Sequence, residues 1–381
     1  MTICQFQLLK SCEMFKFLIK YSAVIFLFNT ILLSIKSSYF FASQIFLMLM
    51  SLFLLMLLIN PKQLKIVIFH KAFLFLLIIN LINLLYFLIF HSISDIDAFK
   101  YLIARFIQFS IISFSIYFNF EYYKDKFLDH IVYFAFGIVL ISLVIDPFLF
   151  SGRYSGVIWN PNMFSSLVVL AFSICLIKNK NLSNFDFIIL TVLLVGALAS
   201  GSRGSLVAII IAFYFKYGFS FRNIMYGVFF LFFTIIIASV NLDTSLNRFA
   251  EQSLFNDRIL QFKYAFISFK NELYFGYGLD KYSYIDKSLV PLYLKSKIIG
   301  AHNGYLAIFT QYGIIFGSII LFIIFRKSFY SFTYNKNKNN FENTYLFIVL
   351  YVLVASAYES LITGINEFST ILFWFSLSIL S

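Results

Sequence analysis

The chain has 381 residues, is 61% hydrophobic and only 12% charged, and carries a net charge of +12. Soluble domains carry about 25% charged residues, whereas here apolar runs near the roughly 20 residues needed to cross a hydrocarbon layer recur along most of the chain. A soluble enzyme is excluded. The basic residues lie between apolar runs, which marks cytoplasmic loops and not a nucleic-acid surface.

Within lipid every backbone group must be satisfied inside its own segment, so the runs must be helices. The alternating short segments of a membrane β-barrel are absent. The expected fold is all-α: a polytopic transmembrane helix bundle of about 12 spans with one large periplasmic loop. In chain order the spans fall near 17–35, 39–60, 72–91, 102–120, 131–150, 162–178, 186–200, 204–218, 222–240, 301–325, 344–359 and 367–381. The short runs 186–200 and 204–218 are also open to reading as one re-entrant pair. No small-residue cleavage site follows Met1–Lys20, so the first span is expected to stay as an anchor.

Orientation follows from the short loops. With the N-terminus inside, the inner segments hold Lys10, Lys16, Lys20, Lys62, Lys65, Lys71, Lys124, Lys126, Lys178, Lys180, Lys216, Arg222, Arg326, Lys327, Lys336 and Lys338. The outer short loops hold Lys36, Lys100, Arg105, Arg153 and Arg203. The chain thus divides into helices over 1–240, a periplasmic subdomain over 241–300, and helices over 301–381. Within the loop, Asp257 to Phe269 is amphipathic, with Ile259, Leu260, Phe262, Ala265, Phe266 and Phe269 at helical spacing, as suits a helix on the membrane surface.

Several polar groups share the outer face. Ser151-Gly152-Arg153 leads to Asn160-Pro161-Asn162 ahead of a span; turn chemistry alone would also account for these residues. Arg203 stands between apolar runs with Gly201, Gly204 and Ser205 beside it. It reads either as an interfacial arginine reaching headgroups or as an anion site, since guanidinium matches phosphate oxygens bidentately. His302-Asn303 opens a span, where imidazole serves as a base or hydrogen-bond donor, or merely as a helix-start residue in the headgroups. Arg258 lies on the amphipathic stretch, either as its solvated face or as a second anion contact. Histidines 70, 91 and 130 read as solvated loop residues. No histidine or cysteine pair has zinc-ligand spacing, so neither a metal nor a cofactor is expected. Asp95-Ile96-Asp97 resembles the acidic pair that binds metal and nucleotide sugar in many glycosyltransferases, but lies outside, where no nucleotide sugar is available. Glu359 and Glu367 bracket the last outer turn and could pair with the arginines or act as a base.

At these residues the chain resembles the O-antigen ligase and O-antigen polymerase superfamily of bacterial membrane glycosyltransferases. The matches are Ser202-Arg203-Gly204, Gly156 with Asn160-Pro161-Asn162, Arg258 ahead of Gly276-Tyr277-Gly278, and His302-Asn303 followed by Gly313. Where the family pattern wants Gly, Thr or Tyr three residues further on, this chain has Phe316, with Gly317 next. The resemblance implies a helical fold of the third glycosyltransferase type (GT-C) and a metal-independent, inverting transfer from undecaprenyl pyrophosphate. Arg203 and Arg258 would hold the pyrophosphate, His302 would activate the acceptor hydroxyl, and Arg153, Asn160, Asn162 and Asn303 would help bind substrate. The glycan acceptor is another lipid-linked repeat unit for a polymerase, or lipid A core for a ligase; the polymerase is favoured on the Asn160-Pro161-Asn162 and His302-Asn303-Gly304-Tyr305-Leu306 segments. A chain-length regulator is a candidate partner with no residue assigned to it. The expected location is the bacterial inner membrane with a periplasmic active site. A lipid-linked oligosaccharide flippase is the competing class, but it predicts mid-span charges and inverted repeats, which the sequence does not show.

Overall fold

The computed structural model describes residues 3–179, 181–218, 220–239, 256–296, 298, 300–335 and 339–380. Lys180, Lys336, Lys338 and residues 240–255 of the expected loop lie outside the described residues, as does the side chain of Lys10. The described residues form helices and no strand: α1 Ile3–Leu32, α2 Tyr39–Ile59, α3 Pro61–Ile68, α4 Leu74–Phe90, α5 Ile96–Asp125, α6 Phe127–Ile145, α7 Pro161–Lys178, α8 Asn184–Ala199, α9 Arg203–Tyr217, α10 Phe221–Ser239, α11 Asn256–Asn271, α12 Gly304–Asn335, α13 Asn340–Ala355 and α14 Phe368–Ile379. The protein is an all-α, multi-pass membrane protein.

Each of the twelve expected spans falls on a helix. Among the described residues, six helical segments are long and apolar enough to cross a bilayer by themselves, among them Lys71–Phe90, Pro161–Lys178 and Gly304–Asn335. Asn184–Ala199, Asn340–Ala355 and Phe368–Ile379 are apolar but shorter. At 1.5 Å per residue, the 16-residue α13 and the 12-residue α14 rise only about 24 and 18 Å, against about 30 Å of hydrocarbon. The non-helical segment 356–367 between them therefore reaches towards membrane depth. Irregular backbone is tolerated there only when it is buried in protein. Every residue of α14 is buried, and α7 is buried over most of its length, so these two helices are the centre of the bundle.

Two features hold the end of the bundle where α7 and α12 begin. Lys36 and Trp159 exchange backbone hydrogen bonds with Val157 and Ser34, across an isolated antiparallel bridge between Ile35 and Ile158, which pins the loop ahead of α7. The second is a break in α12 at Gly313, where φ is +68°. The turn after α11 docks into that break. Tyr277 and Gly278 donate their N–H groups to the carbonyls of Thr310 and Gln311, and Ile314 donates to Leu273. A Cβ at Gly313 would lie 2.2 Å from the Tyr274 carbonyl oxygen, and one at Gly276 would lie 2.5 Å from the Gly313 nitrogen. Both positions require glycine. Phe316 packs against Tyr86 and Phe90, so a large ring fills the place where the family pattern has a small residue.

The amphipathic stretch is helical, as α11, and has two apolar faces. Tyr264 and Ala265 are buried in a small cluster with Ile285, Val290, Ile298, Ala301 and Leu306. Ile259, Phe262 and Phe266 are exposed on the opposite side, one turn apart.

Two expectations of exposure are corrected. Arg105, counted with the outer short loops, is a buried side chain within α5. His91, expected in solvent, has a side chain only 7% exposed and bridges two segments. The other two histidines do lie in or beside loops: His70 caps a short 3-10 turn and His130 bonds Tyr122.

Candidate functional site

The site forms where the segment 356–359 meets the start of α12. The Gly304 N–H donates to the Ser356 carbonyl at 2.7 Å, and Asn303 Nδ2 donates to the Ala357 carbonyl at 2.8 Å. Asn303 Oδ1 accepts from the Leu306 N–H, capping the helix, so both polar ends of Asn303 are held by the protein. The chain enters this helix through His302 in the left-handed region, φ +42°. Such a backbone costs about 1–3 kcal/mol and persists where the surroundings enforce it.

That conformation sets His302 against Glu359, with Nδ1 3.1 Å from Oε2. Arg258, from the first turn of α11, donates through Nη2 to Oε1 of the same carboxylate at 2.7 Å and through Nη1 to the Tyr358 carbonyl at 2.7 Å. Asn162 Nδ2 reaches Oε1 from a third side at 3.3 Å. Asn160 caps α7 by accepting from the Asn162 N–H, Pro161 fills the first helical position, and Arg153 donates to Asn162 Oδ1. Glu359 is thus the hub that joins Arg153, Asn162, Arg258 and His302.

Arg203 joins the group indirectly. It begins α9 after Ser202, with Gly201 at φ +59°. At Gly204 a Cβ would lie 2.9 Å from the Tyr358 hydroxyl, so glycine lets that ring lie on the first turn of α9. The other side of the same ring faces Arg258, whose guanidinium carbon is 5.8 Å from its centroid. Tyr358 therefore links Arg258 to the first turn of α9, which Arg203 opens.

The His302 hydrogen bond and the Arg258 guanidinium both favour the charged form of the Glu359 carboxylate. The carboxylate side chain is 21% exposed, against 35% for His302 and 41% for Arg258, so the acid lies beneath and the two basic groups lie above it. A carboxylate at Nδ1 favours the tautomer protonated there and leaves Nε2 as the acceptor.

Asp95 and Asp97, discounted in sequence as a metal-binding pair, take different partners. Asp97 pairs with Lys100 at the surface, while Asp95 caps α5 and lies 2.6 Å from His91 Nδ1. His91, Asp95 and Asp280 do bring three ligand atoms within 4.8 Å of one another. Each already has a protein partner: His91 Nε2 accepts from the Leu279 N–H, and Asp280 pairs with Lys281 at 2.5 Å. A metal ion would have to displace both, so these residues do not fit one as arranged.

Residues 188–322 match the family model described as O-antigen ligase. That stretch is similar to the O-antigen ligase and polymerase superfamily. No curated protein matches the chain. The matched stretch contains Arg203, Arg258, Gly276, Gly278, His302, Asn303 and Gly313, and it implies a glycosyltransferase of ligase or polymerase type acting on lipid-linked glycans. Arg153, Asn160, Asn162, Tyr358 and Glu359 lie outside it and meet the superfamily residues only in the folded chain.

Sequence reading placed Glu359 among its weaker candidates and passed over Tyr358. The signal for Glu359 was a carboxylate closing an apolar run on the arginine-bearing side. Its three partners lie at sequence separations of 57, 101 and 197, beyond the reach of local pattern.

Proposed function

We propose that the protein is an O-antigen polymerase. It transfers a glycan from undecaprenyl pyrophosphate to a lipid-linked repeat unit at the periplasmic face of the bacterial inner membrane. The observation that carries this reading is the convergence of His302 and Arg258 on the two oxygens of Glu359.

In the proposed step a hydroxyl oxygen of the acceptor sugar attacks the anomeric carbon of the donor. The bond from that carbon to the pyrophosphate oxygen breaks, with inversion, and undecaprenyl pyrophosphate leaves. The hydroxyl proton passes to His302 Nε2, and Glu359 at Nδ1 stabilises the imidazolium that forms. Arg258 and Arg203 offset the charge growing on the pyrophosphate. Such fixed charge acts mainly on the transition state, and arginines fill the role that a divalent ion has in other transferases. Glu359 and the Tyr358 carbonyl take one N–H each from Nη2 and Nη1 of Arg258, which leaves its remaining donors for phosphate oxygens. Arg153 lies at the rim, next to Asn162, and shapes the donor path. Asn160, Asn162 and Asn303 act chiefly by positioning, since each has side-chain atoms bonded within the protein.

The matched model's own description favours a second reading: a ligase that passes the glycan to lipid A core with the same donor chemistry. A gel of lipopolysaccharide from a strain lacking the gene separates the two. Core bearing one repeat unit and no ladder supports the polymerase. Bare core, with polymer accumulating on undecaprenyl pyrophosphate, supports the ligase and overturns the first reading. An unchanged ladder removes both.

A further inference from the structure

The carbonyl oxygens of residues 360–365 form an unbroken run, each accepting from a side chain on another part of the chain. Tyr282 donates to Ser360, Thr370 to Leu361, and Trp374 Nε1 to Ile362 at 3.0 Å. Arg105 Nη2 and the Tyr101 hydroxyl donate to Thr363, Arg105 Nη1 to Gly364 at 3.4 Å, and Gln108 Nε2 to Ile365 at 2.9 Å. A strand or helix would satisfy these groups with backbone. Here side chains of α5 and α14, with Tyr282, do so.

Arg105 is the centre of the α5 contribution. It is 2% exposed and has no carboxylate ion-pair partner among the described residues. Its charge is met by carbonyl dipoles, by Gln108 Oε1 at 2.7 Å and by the Tyr101 hydroxyl at 3.0 Å. Tyr101 leads on to Tyr312, whose hydroxyl bonds Asn83 at 2.8 Å, so the clamp is tied to α4 and α12. A charge within a membrane span is expensive and generally marks function. This one does not touch the Glu359 hub. It grips the backbone four to five residues beyond it.

We propose that Arg105 is a positioning residue for glycan transfer: by clamping the backbone of 363–365 it fixes the height and angle of the Glu359 carboxylate beneath His302 and Arg258. This rests on the transfer reading above. A misplacement of about 1 Å is enough to reduce catalysis about 100-fold, and a segment without regular structure has only such clamps to prevent it. Lysine cannot substitute, because one ammonium does not reproduce a planar fork bonding Thr363, Gly364 and Gln108 together.

The test uses the full-length protein in detergent. Hydrogen exchange over residues 356–367 should quicken about tenfold or more in Arg105→Met, with α7 unchanged. Transfer from a polyprenyl-pyrophosphate-linked repeat unit should fall ~10- to 100-fold in kcat with KM kept, because Arg105 does not meet the donor. The same substitution in a Glu359→Gln background should add little further loss, since residues acting as a unit are not additive. Unchanged exchange over 356–367, or an equal further loss in the Glu359→Gln background, overturns the proposal. Should Arg105→Met fail to accumulate in membranes, Gln108→Leu removes one clamp donor and is read in the same way. If His302→Ala transfers normally, the transfer reading fails, while the exchange result still decides whether Arg105 clamps the segment.

Discussion

Glu359 Oε2 lies 3.1 Å from His302 Nδ1, and the two residues are 57 positions apart in the chain. In the proposed mechanism this pairing leaves Nε2 as the nitrogen that meets the acceptor. His302→Ala should abolish transfer, and Glu359→Gln should lower it ~100-fold or more, the usual contribution of a positioned acid–base group. Both variants should reach the membrane at normal levels. The check is transfer by purified protein from a lipid-linked repeat unit, with full activity in His302→Ala removing that residue from the mechanism.

The two arginines should tolerate lysine poorly. Arg258 bonds the Tyr358 carbonyl and Glu359 with separate nitrogens, which a single ammonium cannot copy at the same geometry. Arg203→Lys should lose most of its transfer if it grips a phosphate bidentately, and Arg203→Ala should lose all of it. A wild-type rate in Arg203→Lys would reduce its role to that of a point charge.

Gly276→Ala and Gly313→Ala should each destabilise the fold and not the chemistry. Each glycine has positive φ, and each Cβ would meet backbone atoms of the other segment at 2.7 Å or less. Strain of about 1–3 kcal/mol per position is expected, read as a lower melting temperature in detergent and a smaller membrane-inserted fraction. Because the two residues share one contact, the double variant should lose less than the sum.

Transfer should persist in excess chelator. Loss of activity there, restored by one divalent ion, would make His91, Asp95 and Asp280 a metal site after all.

Hydropathy made the helices legible because a lipid-facing or buried span announces itself over its whole length, and every expected span lies on a helix. The outer-face residues were legible as types: arginine between small neighbours, histidine at a helix start, glycines in a turn. Their partners were not. Arg105 reads as a short-loop charge in sequence because nothing local shows the carbonyls of residues more than 250 positions away that satisfy it. The same holds for Gly313, visible as a motif position, whose need for glycine comes from the Tyr274 carbonyl.

The break in α12 also constrains how the protein is made. Residues 273–278 leave the ribosome before the helix that they join. Until they dock, the carbonyls of Thr310 and Gln311 and the amide of Ile314 lack the partners that they have in the finished fold. Unpaired backbone groups cost several kcal/mol each in hydrocarbon. The break in this helix and the docked loop thus depend on each other, each supplying backbone partners that the other needs.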